Sequence, residues 1–235
     1  MSPPQLSVLV TSFNEEGSIE ACIRRILAVY PENCELLVID GGFDRTGEIV
    51  RGLEREFAGL RYVRNENDRG KGHAVQTGIA EAKGKWLAQI DADLQFLPEE
   101  LPRLLAPLQA GIADVVLGSR FMRESVRLPG STPRLRTLGN HVTSGLASCL
   151  VGHRMTDVLA GMKAWTREAS ARIPLRCLHC SYDAEIAVKA VLNGLRVVDV
   201  PITTDARNEG VSQIHVVRDG FVILRDIMLF RLDWR

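Results

Sequence analysis

Short unbroken apolar runs alternate with amphipathic stretches through the first half of the chain. Residues 6–10 (LSVLV), 34–39 (CELLVI), 86–90 (WLAQI) and 113–117 (ADVVL) have strand length and little polar character. Runs of that kind predict strands buried on both faces. Residues 60–64 are a further strand candidate. Between the runs, Ile19, Ile23 and Ile26 recur at helical spacing. So do Ile49, Leu53 and Phe57 after the capping residue Thr46, and Leu101, Leu104, Leu105 and Leu108 behind Pro98. These rows predict helices with one apolar face. Another helix follows the polar loop 65–72 (NENDRGKG) and ends near Ala82, with Gly84 just beyond as a stop. The alternation of strand and helix predicts an α/β fold with a mostly parallel sheet.

After Phe121 the rhythm breaks. Residues 122–136 are rich in Arg, Pro and Ser, with Arg123, Arg127, Arg134 and Arg136, and read as an excursion over the sheet edge. A helix over 138–150 follows. Residues 183–193 form another, with Ile186, Ala187, Ala190 and Val191 on one face and Gly194 as its stop. A late strand, 195–200, closes at Pro201, and 207–212 (RNEGVS) is a loop. The tail, 216–234, predicts a helix whose apolar row is Ile223, Ile227, Phe230 and Trp234. Arg218, Arg225, Arg231 and Arg235 leave two readings of that helix open, on a membrane surface or packed back on the protein. Its polar face is not cleanly separated, which favours packing back.

Bulk composition narrows the class. The 235 residues carry 29 Lys and Arg against 29 Asp and Glu, a formal net charge of zero. Nucleic acid is thereby disfavoured as a partner, because phosphate backbones select basic surfaces. The apolar runs are too short to span a membrane, and the first residues lack a leader pattern. Five cysteines form an odd, sparse set that argues against a disulfide framework and for a cytoplasmic setting. Cys177 and Cys180 have C-x-x-C spacing, but no second pair completes a zinc site.

The candidate chemistry sits at strand ends. Asp40, Asp91 and Arg120 each follow a different strand at the carboxyl edge, where open α/β sheets bind ligands. Asp91, Asp93 and Gln95 fall at a period of two, on one side if the chain stays extended. Three oxygen donors there suit a hard divalent cation, Mg²⁺ or Mn²⁺, carrying a phosphate ligand. No G-x-G-x-x-G or P-loop pattern occurs.

The segments VLVTSFNEE, LLVIDGGFDRT, NENDRGKGHAVQTGI, QIDADLQFLPEEL, ADVVLGSRF, TDVLAGMKAW, YDAEIAVKAV and VDVPI with RNEGVS run in the order found in family 2 glycosyltransferases. The chain resembles that family, and within it the dolichyl- or polyprenyl-phosphate hexosyltransferases of the dolichol-phosphate mannose synthase type. The resemblance implies a GT-A fold, with a Rossmann-like central sheet flanked by helices. It implies one catalytic domain over 1–235, with a nucleotide-sugar part to about 120 and an acceptor part beyond. It further implies inverting transfer of a hexose from a UDP- or GDP-linked sugar. Thr11, Phe13, Glu15 and Asp40 would hold base and ribose, with Lys71 near the nucleotide. Asp91, Asp93 and Gln95 would hold the metal and diphosphate, Asp93 foremost. Arg120, Arg136, Asn140 and Arg207 would hold a polyprenyl phosphate at the inner membrane surface. The alternative acceptor is a hydroxyl on a small molecule or glycan, with Asp183 or Glu185 as general base. A homodimer is compatible with the sequence. Three positions depart from the family pattern: Thr11 for Pro, Gly41 for a second acid after Asp40, and Gln213 for Lys.

Overall fold

The apolar runs become strands and the periodic stretches become helices. The structure is a computed structural model that describes residues 4–30, 32–206 and 216–232. In chain order it runs β1 (Leu6–Ser12), α1 (Ile19–Val29), β2 (Cys34–Asp40), α2 (Thr46–Leu53), β3 (Leu60–Arg64), α3 (Lys71–Glu81) and β4 (Trp86–Asp91). A 3₁₀ turn at Pro98–Glu100 leads into α4 (Leu101–Gln109), then β5 (Val115–Ser119), β6 (Val126–Arg127) and α5 (Arg134–Val151). The rest is β7 (Lys163–Thr166), α6 (Arg167–Arg172), α7 (Tyr182–Leu192), β8 (Val197–Pro201), β9 (Thr203–Thr204) and α8 (Val216–Leu232).

Seven strands form one sheet in the order β3-β2-β1-β4-β7-β5-β8. All neighbours are parallel except β7, which runs antiparallel to both β4 and β5. That reversal is not predicted by the alternating pattern, and it matters. It brings the start of β7 to the carboxyl edge, where Lys163 pairs in register with Gln89 and with Leu117.

Side chains alternate across the sheet. Leu36 and Val38 enter one core with α1, α2 and α4, while Leu37 and Ile39 enter the other with α3, α5, α7 and α8. Each fully buried Leu or Ile contributes roughly 1.5–3 kcal/mol, which is why one-residue register slips are excluded.

Two local expectations change and a third is met. The arginine-rich excursion is shorter than its composition suggests, because α5 begins at Arg134 and carries Arg136 in its first turns. Helix α2 stops at Leu53, and Phe57 packs on the core from beyond its end. Helix α8 packs back on the protein through buried Ile223, Ile227 and Phe230. Trp234, Arg207 and Gln213 lie outside the described residues. Among the described residues, no helix is long and apolar enough to cross a membrane.

Candidate active site

The carboxyl edge is built by register. Thr11 pairs with Asp91, Ser12 with Asp40, and Asp40 with Arg64. Over this edge lies a cavity of about 700 Å³. Its lining brings together most of the residues singled out from the sequence: Thr11, Phe13, Glu15, Lys71, Asp91, Asp93, Gln95, Arg120, Arg136, Asn140 and Asp183.

Asp91, Asp93 and Gln95 reach one cavity by a turn, not by an extended strand. β4 ends at Asp91, and the amide of Ala92 still donates to Thr11 O at 3.2 Å. The Asp93 carboxylate then accepts the Gln95 amide at 3.0 Å, and Leu94 takes φ +58° with its side chain buried. A left-handed leucine costs about 1–3 kcal/mol, which the surrounding packing must offset. All three side chains offer hard oxygen donors. Among the described residues, no group of three or more His, Cys, Asp or Glu could hold an ion unaided. Two carboxylates and one amide oxygen are fewer donors than such an ion takes, so a Mg²⁺ or Mn²⁺ held there would need further oxygen ligands, as a bound diphosphate supplies.

Behind the acids runs an alternating row of charge: Asp91, Lys71, Asp183, Lys163. Lys71 Nζ lies 2.9 Å from Asp91 and 3.4 Å from Asp183, and Lys163 Nζ lies 2.6 Å from Asp183. Burial opposes the Lys71 ammonium, but Asp183 and Asp91 outweigh it and raise its pKa above the ordinary lysine value. For fully buried Lys163, desolvation wins over Asp183 and lowers it. Asp91 is fixed further by Thr11 Oγ1 at 3.1 Å and Gln89 Nε2 at 2.9 Å, and Gln89 Oε1 accepts from Tyr182 at 2.8 Å. Gly161 makes this packing feasible: a Cβ there would lie 2.1 Å from Asp91 Oδ2 and 2.9 Å from Lys71 Nζ.

The opposite wall is cationic and amide-bearing. Arg120 donates from Nε to Asp157 Oδ2 at 2.6 Å and from Nη2 to Oδ1 at 2.9 Å, both residues buried. Arg136 and Asn140 lie one helical turn apart on α5. The Asn140 amide nitrogen is buried with no hydrogen-bond partner among the described residues, an arrangement that asks for an acceptor. Gln95 Nε2 donates to Ser131 O at 2.7 Å, tying the acid turn to the arginine-rich segment.

Two sequence candidates do not reach the cavity. Asp40 is buried behind it, accepting from Ser12, the Gly42 amide, Tyr62 and Arg64. Glu185 is fully buried and accepts from the amides of Arg176 and Cys177 and from Lys189. It anchors the loop before α7, and its place as a general base is withdrawn. Asp183, two residues earlier, points the other way and keeps its place at the cavity. Burial pushes the Cys177 and Cys180 thiols up to about 12 and 11, which disfavours thiolate chemistry. Lys163, Gln89 and Tyr182 are absent from the sequence candidates. A lysine and a glutamine inside otherwise apolar strands were their available signal, since buried polar groups require partners.

The family model described as glycosyl transferase family 2 matches residues 7–169. A low-salt glycan biosynthesis hexosyltransferase of Haloferax volcanii, Agl6, is 30% identical over 96% of this chain and 54% of its own length. A polyprenol monophosphomannose synthase of Mycolicibacterium smegmatis is 30% identical over 88% of this chain and 80% of its own. The chain thus spans only about half of the first of these relatives. The Mycobacterium tuberculosis glucosyl-3-phosphoglycerate synthase, solved with Mn²⁺, UDP and glucosyl-3-phosphoglycerate, superposes with a TM-score of 0.73. That match is 21% identical and covers 98% of this chain and 80% of that one, which establishes the GT-A fold. With the family match extending over most of the chain, and with relatives of the same kind along nearly its whole length, this protein belongs to glycosyl transferase family 2.

Proposed function

We propose that the protein transfers a hexose, with inversion, from a UDP- or GDP-linked sugar to a polyprenyl phosphate at a membrane surface. The observation that carries the acceptor is the combination of guanidinium and amide donors in the cavity with exposed apolar side chains on the two helices, α5 and α8, that supply part of its lining. Leu135, Leu138 and Val142 are 59%, 62% and 51% exposed on α5, the helix that lines the cavity with Arg136 and Asn140. Phe221 of α8, beside the lining residue Gly220, is 71% exposed. Guanidinium and amide donors in the cavity, with exposed apolar side chains on the same helices, match an acceptor with an anionic head and a hydrocarbon tail.

Phosphate chemistry also suits the side chains. A phosphate monoester is ionised near neutral pH and attacks without losing a proton, so no general base is required. Glu185 is withdrawn from that role, and both Asp183 oxygens face lysine ammonium groups. Arg120, Arg136 and Asn140 would orient the acceptor phosphate. Asp93, backed by Asp91 and Gln95, would hold Mg²⁺ or Mn²⁺ against the donor diphosphate. When bound, the ion stabilises negative charge on the departing diphosphate. The relative named as a polyprenol monophosphomannose synthase supports the lipid acceptor, and the structural neighbour solved with Mn²⁺ and UDP supports the nucleotide and metal part of the reading.

The test incubates the protein with labelled nucleotide sugars, Mn²⁺ or Mg²⁺, and polyprenyl phosphate in detergent. Label in the organic phase is the expected outcome. Label found only in a water-soluble glycoside, when a cell extract is supplied instead, would assign a hydroxyl acceptor and overturn the lipid reading.

A further inference from the structure

We infer that Asp68 reads the base of the donor nucleotide by accepting a hydrogen bond from a lactam N–H, the group shared by uracil and guanine. The inference rests on the nucleotide-sugar reading of the cavity and adds to it the residue that selects the base.

The starting point is a carboxylate that the sequence resemblance does not single out. Asp40 has both oxygens engaged inside the protein and does not line the cavity. Asp68, in the loop between β3 and α3, does line it. Its Oδ1 accepts from Asn65 Nδ2 and from the Gly70 amide at 3.2 Å, with His73 Nδ1 4.0 Å away. Its Oδ2 accepts from no group among the described residues. One oxygen is thus used to fix the side chain, and the other is left for a ligand.

Gly41 explains why the acid can stand there. A Cβ at position 41 would lie 2.6 Å from Asp68 Cγ and 2.8 Å from Oδ2. The Asp68 carboxyl group occupies the space that any side chain at 41 would fill. An acid at 41 and the present Asp68 exclude one another, so the missing second acid after β2 is replaced from the neighbouring loop. Phe13 lines the same cavity and meets Phe43 edge to face, with ring centroids 6.1 Å apart. Its ring offers a flat apolar surface for a base.

An ionised carboxylate only accepts hydrogen bonds. Uracil presents N3–H and guanine N1–H, whereas cytosine and adenine present a lone pair at the equivalent ring nitrogen. A charge-assisted bond of this kind separates the two classes by about 10- to 100-fold.

The experiment is calorimetric titration of the whole chain, with Mn²⁺, by UDP, GDP, CDP and ADP. It includes N3-methyl-UDP or N1-methyl-GDP, matched to whichever parent binds. The wild type should prefer UDP or GDP at least about tenfold over CDP, ADP and the methylated form. Asp68→Ala should weaken the parent by about 10- to 100-fold and leave the methylated form unchanged, so that the preference disappears. Asp68→Asn preserves the shape of the loop and should narrow the gap between UDP and CDP, since its amide can donate to a lone pair. Equal weakening of parent and methylated nucleotides in both variants would mark Asp68 as structural and overturn the assignment. A wild type that binds none of the four would overturn the nucleotide-sugar reading itself, and this inference with it.

Discussion

The guanidinium of Arg120 and the carboxylate of Asp157 meet in a two-pronged ion pair, at 2.6 and 2.9 Å, beneath the cavity. Asp157 also accepts the Arg120 backbone amide at 3.1 Å, so the pair fixes the chain just after β5 as well as the side chain. Both residues are buried, and removing one leaves the other charged without compensation. Arg120→Ala should therefore destabilise the fold by roughly 3–5 kcal/mol in urea unfolding. The double variant Arg120→Leu with Asp157→Leu should recover most of that stability and none of the transfer activity. A double variant as unstable as the single would contradict this account of the pair.

Asp91 ends β4 and Asp93 sits in the turn beyond it, and that difference in place predicts unequal variants. Asp91 is engaged by Thr11, Gln89 and Lys71, which suits a residue that shapes the site. Asp93 sits in the turn, one oxygen on the Gln95 amide, at the cavity wall. Asp93→Ala should lower turnover by about 100-fold or more and abolish recovery by Mn²⁺ after EDTA treatment. Asp91→Asn, which keeps the side-chain shape, should retain measurable Mn²⁺ recovery. Turnover and Mn²⁺ affinity near the wild-type values in Asp93→Ala would rule out its place as principal ligand.

Much of this site is legible in the sequence because strand ends announce themselves. The apolar runs before Asp91 and Arg120 end in charge, and a parallel sheet collects such ends on one edge. What stays hidden depends on non-local contact. The antiparallel insertion of β7 has no local signature, so the approach of Lys163 to Asp183 cannot be read from spacing. Asp183 and Glu185 look equivalent at the start of one helix, yet α7 turns one toward the cavity and the other onto the Arg176 and Cys177 amides. The turn through Leu94 is equally silent, because nothing about a leucine signals positive φ. Asp93 and Gln95 still line the same cavity as Asp91, by a route that a period of two does not contain.

Lys163 gives the row of buried charge a pH signature. Its folded-state pKa is lowered by desolvation, against Asp183, with Lys71 adding to the lowering. Between that lowered value and the ordinary lysine value near 10.4, the unfolded chain binds more protons than the native one. Stability must rise with pH across that window as the buried charge is relieved. Lys71 has the opposite shift, and its contribution is lost only above the ordinary lysine value. The difference in unfolding free energy between wild type and Lys163→Met should therefore grow in favour of wild type from neutral pH to about 10. Urea unfolding at several pH values measures it. A difference that is flat or falls with pH would mean that Lys163 keeps its full charge throughout.

The exposed row on α5 separates binding of a lipid tail from the chemistry at the phosphate. Leu135, Leu138 and Val142 are exposed, so polar substitutions there should change stability by no more than about 0.5 kcal/mol. Each Leu→Ser change removes apolar area that a hydrocarbon tail would cover, about 1–2 kcal/mol or roughly tenfold in affinity. Leu135→Ser with Leu138→Ser should accordingly raise KM for a long polyprenyl phosphate by about 10- to 100-fold, with kcat little changed. A short water-soluble prenyl phosphate, whose tail is too short to cover these side chains, should show no such rise. Arg136→Ala should penalise both acceptors, because both carry the phosphate proposed to bind at this guanidinium, which lines the cavity from the same helix. Equal KM changes for long and short acceptors in the serine variants would remove this α5 row from acceptor recognition. Unchanged KM for both in Arg136→Ala would remove the arginine. The two sets of variants thus test the head and the tail of the acceptor independently.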